Sequence, residues 1–80
     1  MIFDNSSYID SIDANEIIKS GFYYLTNNIT NALNYSYLVV FATDDDKCCI
    51  QINSARNCAW IKIRGYENKN WSNWIDIAFK

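Results

Sequence analysis

Trp60-Ile61-Lys62-Ile63-Arg64 and, beyond the loop Gly65–Asn70, Trp71-Ser72-Asn73-Trp74-Ile75-Asp76-Ile77-Ala78-Phe79 are the two stretches on which the fold turns. Both alternate apolar and polar residues, and the loop between them carries Gly, Asn and Lys, which predicts an antiparallel hairpin rather than a helix. Setting Arg64 opposite Trp74 places Ile63 against Ile75, Lys62 against Asp76, Ile61 against Ile77 and Ala59 against Phe79. One face is then wholly apolar, and the other holds an opposite-charge pair and an Arg-Trp pair. A slip of one residue would set isoleucines against charges, so burial itself specifies the pairing.

Working outward, Tyr37–Thr43 has no polar alternate set and reads as a strand buried on both faces, turned by Asp44-Asp45-Asp46. A three-residue turn pairs Thr43 with Lys47, Val40 with Ile50 and Leu38 with Ile52. The next turn, Ser54–Asn57, sets Ile52 against Ala59, Ile50 against Ile61 and Cys48 against Ile63. These registers predict a four-stranded meander with one inner face of Leu38, Val40, Ala42, Cys48, Ile50, Ile52, Ala59, Ile61, Ile63, Ile75, Ile77 and Phe79. The second face, Tyr37, Val39, Phe41, Cys49, Gln51, Trp60, Lys62, Arg64, Trp74 and Asp76, is too apolar simply to meet water.

Toward the N-terminus, Asp13 stands as an N-cap with Glu16 three residues on, so a short helix over about 14–19 is expected, ended by Gly21 in a left-handed conformation. Phe22–Thr26 is expected to be a fifth strand and Asn27–Asn34 a loop. The fold class is therefore mainly β, a meander of about four to five strands with one short N-terminal helix.

The chain of 80 residues is one domain, 1–80, with a thin core; 50% hydrophobic and 16% aromatic residues argue against disorder. A net charge of −2 spread along the chain favours neither nucleic acid nor membrane as partner. No apolar run is long enough to span a bilayer, and the start lacks the pattern of a signal peptide, so folding inside a cell is expected. Cys48, Cys49 and Cys58 cannot all pair within one chain and read as buried thiols. Without histidine, and with Asp44–Asp46 spaced unlike a calcium loop, no metal or other cofactor is expected. No residue set for acid–base or nucleophilic chemistry stands out, so the protein is not read as an enzyme.

Several units occur together in order: Asp13-Ala14-Asn15, Gly21-Phe22-Tyr23-Tyr24, Val39-Val40-Phe41, Gln51, Arg64 and Trp71-Ser72-Asn73-Trp74. Over about Ser11 to Phe79 this resembles the pyocin-knob family, the knob domain of R-type pyocins and phage tail fibres. Family members are usually repeats within long fibres, whereas this chain starts with its own Met. The resemblance implies a virion tail module, made in the bacterial host cytoplasm, a homotrimer with other tail or virion proteins as neighbours, that binds bacterial surface glycan or cell-wall polymer. The alternative is a purely structural trimerising or decorating protein.

Gly21, Tyr23, Tyr24, Gln51, Arg64 and Trp74 are expected to hold the fold, with Arg64 stacked on an indole. The loop Gly65–Asn70 is longer than a hairpin needs, and Tyr66, Asn68, Asn70 and Trp71 are expected to form a shallow carbohydrate site, supported from beneath by Arg64. Aromatic faces cover sugar C–H surfaces and amides meet hydroxyls.

Overall fold

Runs of β-branched and aromatic residues separated by Asn, Asp and Ser build a structure whose regular elements are strands and one short turn of helix. A computed structural model describes residues 6–57 and 59–77. In order, the elements are β1 (Ser6–Ile9), β2 (Ile12–Asp13), a 3₁₀ turn (Ala14–Glu16), β3 (Gly21–Leu25), β4 (Ile29–Thr30), β5 (Ser36–Ala42), β6 (Cys48–Ala55), β7 (Ile61–Glu67), β8 (Asn70–Trp71) and β9 (Ile75–Ile77). Seven of the strands form one sheet in the order β1-β3-β5-β6-β7-β8, with β9 also on β7, and β2 and β4 make a separate parallel pair. The class is mainly β, as expected, but the sheet is not a meander of four to five strands. It is mixed, because β1 joins β3 in parallel while the remaining pairs are antiparallel.

The expected N-terminal helix is replaced by the three-residue 3₁₀ turn. Asp13 caps it, accepting from the Asn15 N–H at 2.9 Å, but so short a segment does not repay helix nucleation. The chain straightens at Ile17 because the carbonyls of Ala14 and Ile17 are taken by the Gln51 side chain at 2.7 and 2.9 Å. Gly21 does not stop a helix, since its φ is not positive. It opens β3, and its missing side chain makes room for Tyr23: a Cβ there would lie 3.0 Å from the Tyr23 hydroxyl, which donates to the Lys19 carbonyl at 2.8 Å.

The hairpin register around Arg64 holds, with Ile61↔Ile77, Lys62↔Asp76 and Ile63↔Ile75 paired and Lys62 Nζ 3.1 Å from the Asp76 carboxylate. The Ala59–Phe79 pairing falls outside the described residues. The β5–β6 register differs by one: Val39 pairs with Ile52 and Val40 with Gln51. Four residues, Asp44–Lys47, make the turn instead of three, with Thr43 N–H bonded to the Cys48 carbonyl and Asp46 at φ 61. Asp45 organises that turn, accepting from the Thr43 hydroxyl at 2.6 Å and the Lys47 N–H at 3.1 Å. The β6–β7 register is also longer, with Ile52 opposite Ile63 and Ile50 opposite Gly65.

These shifts divide the expected inner face in two. Leu38 and Val40 point into the core with Ala14, Ile17, Leu25 and Cys49. Ile50, Ile52, Ile61, Ile63, Ile75 and Ile77 lie on the opposite side of the sheet, in register with Val39 and Phe41. The buried side receives Gln51, Asn53 and Arg64 instead, none of them more than 6% exposed. Tyr24 belongs to the isoleucine side, in a file of aromatic rings with Tyr8 and Tyr37 at centroid distances of 5.4 and 5.5 Å.

Candidate functional site

The connection from β8 to β9 determines the site. Tyr66 pairs with Trp71 and Ile63 with Ile75, so Arg64 faces both Asn73 and Trp74. This is a β-bulge, two residues against one. Tryptophans three apart would point to opposite faces of a regular strand. The extra residue brings both to the Arg64 side, where the guanidinium carbon lies 3.8 Å from the Trp71 ring centre and 4.5 Å from that of Trp74. Ser72 secures the bulge: its N–H donates to the Gly65 carbonyl at 2.8 Å and its hydroxyl accepts from the Gly65 N–H at 2.9 Å.

Arg64 Nε donates to Gln51 Oε1 at 2.9 Å. Gln51 in turn holds the 3₁₀ turn, so one buried chain of hydrogen bonds links the indoles to the N-terminal segment. A second route closes over it. Trp74 Nε1 donates to the Asn31 carbonyl at 3.0 Å, and the Asn31 amide donates to Asp13 at 2.8 Å. Hydrogen bonds from the Asn31 side chain and the Asn15 N–H, with the Arg64 charge adding, hold the Asp13 carboxyl below its ordinary range. Burial lowers the Arg64 pKa, opposed by Asp13, and burial raises that of the Cys49 thiol.

Around this scaffold lies a cleft of about 500 Å³, lined in part by Asn15, Asn31, Asn53, Lys62, Arg64, Trp71, Asn73 and Trp74. Arg64 Nη2 and Asn15 Oδ1 are both closed to solvent and have no hydrogen-bond partner within the protein. The cleft thus combines two indoles, two cationic side chains and several amides, a set suited to a polar ligand with apolar faces.

The four residues expected to bind sugar do come together, but the segment that carries most of them differs from the expectation. The segment Gly65–Asn70 is not a long loop. Gly65–Glu67 continues β7, and the reversal takes only Asn68 and Lys69, both with positive φ (50° and 70°), the geometry of a tight two-residue hairpin turn. Asn68 is therefore a turn residue, and the Asn70 amide bonds its carbonyl at 3.3 Å. Tyr66 packs on Trp71, ring centres 4.7 Å apart. All four line a second, larger cleft of about 900 Å³, which Phe41, Ile50 and Gly65 share, and of the four only Trp71 also lines the cleft beside Arg64. Gly21, Tyr23, Gln51, Arg64 and Trp74 stand in or against the buried core. Asn31 and Asn53 have no signal of their own in the sequence, where the abundance of asparagine hides them, and Asn15 and Asn73 stand out only as members of the Asp13–Asn15 and Trp71–Trp74 units.

Cys48 and Cys49 are free thiols, Cys49 buried and Cys48 half-buried; Cys58 lies outside the described residues. Comparison with family models, curated proteins and solved structures yields no match to this chain.

Proposed function

We propose that this protein is a phage tail-fibre or virion-tip module that binds the bacterial surface through glycan or a cell-wall polymer, using the cleft beside Arg64. The observation that carries the reading is the bulge that brings both Trp71 and Trp74 against one buried arginine, at the wall of a cleft lined by several asparagines. A bulge kept inside a short hairpin re-aims side chains, and here it re-aims an aromatic ring. Aromatic surface and fixed amides match the C–H faces and hydroxyls of a saccharide. Because the rings, Arg64 and Gln51 are tied to one another, the site is preorganised and little order is lost on binding.

Asn73 is exposed on the cleft wall and tests the reading. Asn73→Ala is expected to weaken adsorption of the protein to host cells or to purified cell-wall glycan, with an unchanged melting temperature. Asn68→Ala, at the hairpin tip, is expected to leave adsorption intact. The opposite ranking would move the site to Tyr66, Asn68 and Asn70, and unaltered adsorption by both variants would remove glycan binding from this end of the sheet.

A second reading, a structural module that trimerises or decorates the particle without touching a receptor, draws on the isoleucine side of the sheet. Absence of any glycan binding by the wild-type protein, together with a fixed stoichiometry in the particle, would favour it.

A further inference from the structure

Arg64 is a buried cation with no counter-ion in contact. Its side chain is 6% exposed, yet of its three guanidinium nitrogens only Nε has a hydrogen-bond partner, and that partner is the uncharged amide of Gln51. Nη1 and Nη2 donate to no described residue, and of the two only Nη2 is closed to solvent. The two indoles supply part of what water would, since an aromatic face attracts a cation. Asp13 acts on Arg64 through space, but its carboxylate already accepts from the Asn15 N–H and the Asn31 amide. The Cys49 thiol is kept neutral by burial. Taking a charge out of water is offset only by an opposite charge or a full set of hydrogen bonds, and Arg64 has neither.

The wall around it has the same sign. Lys62 lies two residues before Arg64 on β7, pairs with Asn53 as Arg64 pairs with Gln51, and lines the same cleft. Among the described residues that cleft has no carboxylate in its lining, although the chain carries 9 acidic residues against 7 basic ones. An acidic chain that gathers two cations and no anion around one cleft favours negative charge there. Asp76 holds Lys62 only weakly: its carboxylate is 3.1 Å from Nζ, but its side chain is 79% exposed, and an ion pair so open to water contributes little. Asn15 Oδ1, on the same cleft and also unpartnered, needs a donor, which a bare anion lacks and a sugar hydroxyl supplies.

We propose that the ligand of this cleft is an acidic saccharide, whose carboxylate or phosphate oxygens meet Arg64 and Lys62 while its ring lies against the indoles. With Nε committed to Gln51, the Nη1–Nη2 end of the guanidinium is left for either acid group to accept from. The inference rests on the glycan reading above and narrows it to glycan that carries negative charge.

Purified host cell-wall glycan is the probe, used intact, after carbodiimide-mediated reduction of its carboxylates, and after cleavage of its phosphodiesters with hydrofluoric acid. One of the two treatments should weaken binding by the wild-type protein at least about tenfold, and which one does so identifies the acid group. Raising the salt to about 0.5 M should weaken binding to the intact glycan. Lys62→Gln should weaken it roughly two- to fivefold, as fits a partly exposed charge, and Asp76→Asn should strengthen it. Both substitutions break the same ion pair, so a merely structural effect shifts binding in one direction, whereas charge shifts it in opposite directions. Two outcomes overturn the acidic ligand and leave the glycan reading standing: binding that survives both treatments, or Lys62→Gln and Asp76→Asn shifting it in the same direction or not at all. Absence of binding to the intact glycan removes both.

Discussion

The two faces of the sheet contrast in composition and in how they are closed. The covered face holds Gln51, Asn53 and Arg64 at 0, 1 and 6% exposure. The open face holds six isoleucines of β6, β7 and β9. Polar residues line the covered face because what lies over it is irregular chain, whose backbone groups need partners once water is excluded. Gln51 supplies two of them with donors, and Asn53 donates to the Tyr37 carbonyl at 2.8 Å and to the Ser36 hydroxyl at 2.8 Å. Flat apolar surface has no such requirement and suits another sheet.

The strongest test of this contrast is Gln51→Leu, which makes the covered face more apolar. It strands the Ile17 carbonyl and Arg64 Nε, at about 1–3 kcal/mol for each buried group left unpaired, and leaves the Ala14 carbonyl only its bond from the Ile17 N–H. A loss of that size exceeds a large part of the stability of a domain this small, so loss of the cooperative urea transition is expected. Trp74→Ala comes next, at about 2–3 kcal/mol for a partly buried indole, whereas Trp74→Phe keeps a ring over Arg64 and loses chiefly the hydrogen bond to Asn31, about 1 kcal/mol. Urea denaturation of the pair separates packing from hydrogen bonding.

Asp13 gives a pH test. Its folded pKa is depressed, so its contribution is fully present above the ordinary carboxylate pKa of ~3.9 and is lost as pH falls through the folded value. Wild-type stability should therefore drop on acidification below about pH 4 more steeply than that of Asp13→Asn, as followed by melting temperature. On the open face, Ile75→Thr in dilute monomer should cost only roughly 0.5–1 kcal/mol, since most of that side chain is already in water. Asp45→Asn should have the smallest effect, because the amide oxygen can still accept from Thr43 and Lys47; an unchanged melting temperature checks it.

The sequence reveals one hairpin and conceals its neighbour for a physical reason. Lys62 and Asp76 alternate with isoleucines, so only one register of β7 and β9 avoids placing charge against apolar side chains. In β5, Leu38-Val39-Val40-Phe41 is apolar on both sides, and nothing in it distinguishes one face from the other. Parity then depends on the length of the acidic turn, and one residue more sends every side chain of β6 to the opposite face. Setting Gln51 on the face opposite Leu38 and Val40 follows from that same error of parity, since a buried amide with every partner in place looks in sequence like an exposed one. The stacking of Arg64 on an indole is legible, but the bulge that adds the second indole is not. Its one trace is a pair of tryptophans at a spacing that regular strand geometry cannot reconcile with a shared arginine.

The parallel pairing of β1 with β3 has a mechanical consequence. Following the directions through β5, β6 and β7, β1 and β9 point the same way, so the chain enters at one end of the sheet and leaves at the other. Tension applied through the two ends runs along the strands, at right angles to the hydrogen bonds that join them. The terminal strands are then loaded in shear, with their ladder bonds sharing the force, instead of being peeled open one bond at a time. A module of this topology placed in a line of other modules transmits a pull through the full length of its outer strands, and the ties among Gln51, Arg64 and the indoles lie to one side of that path.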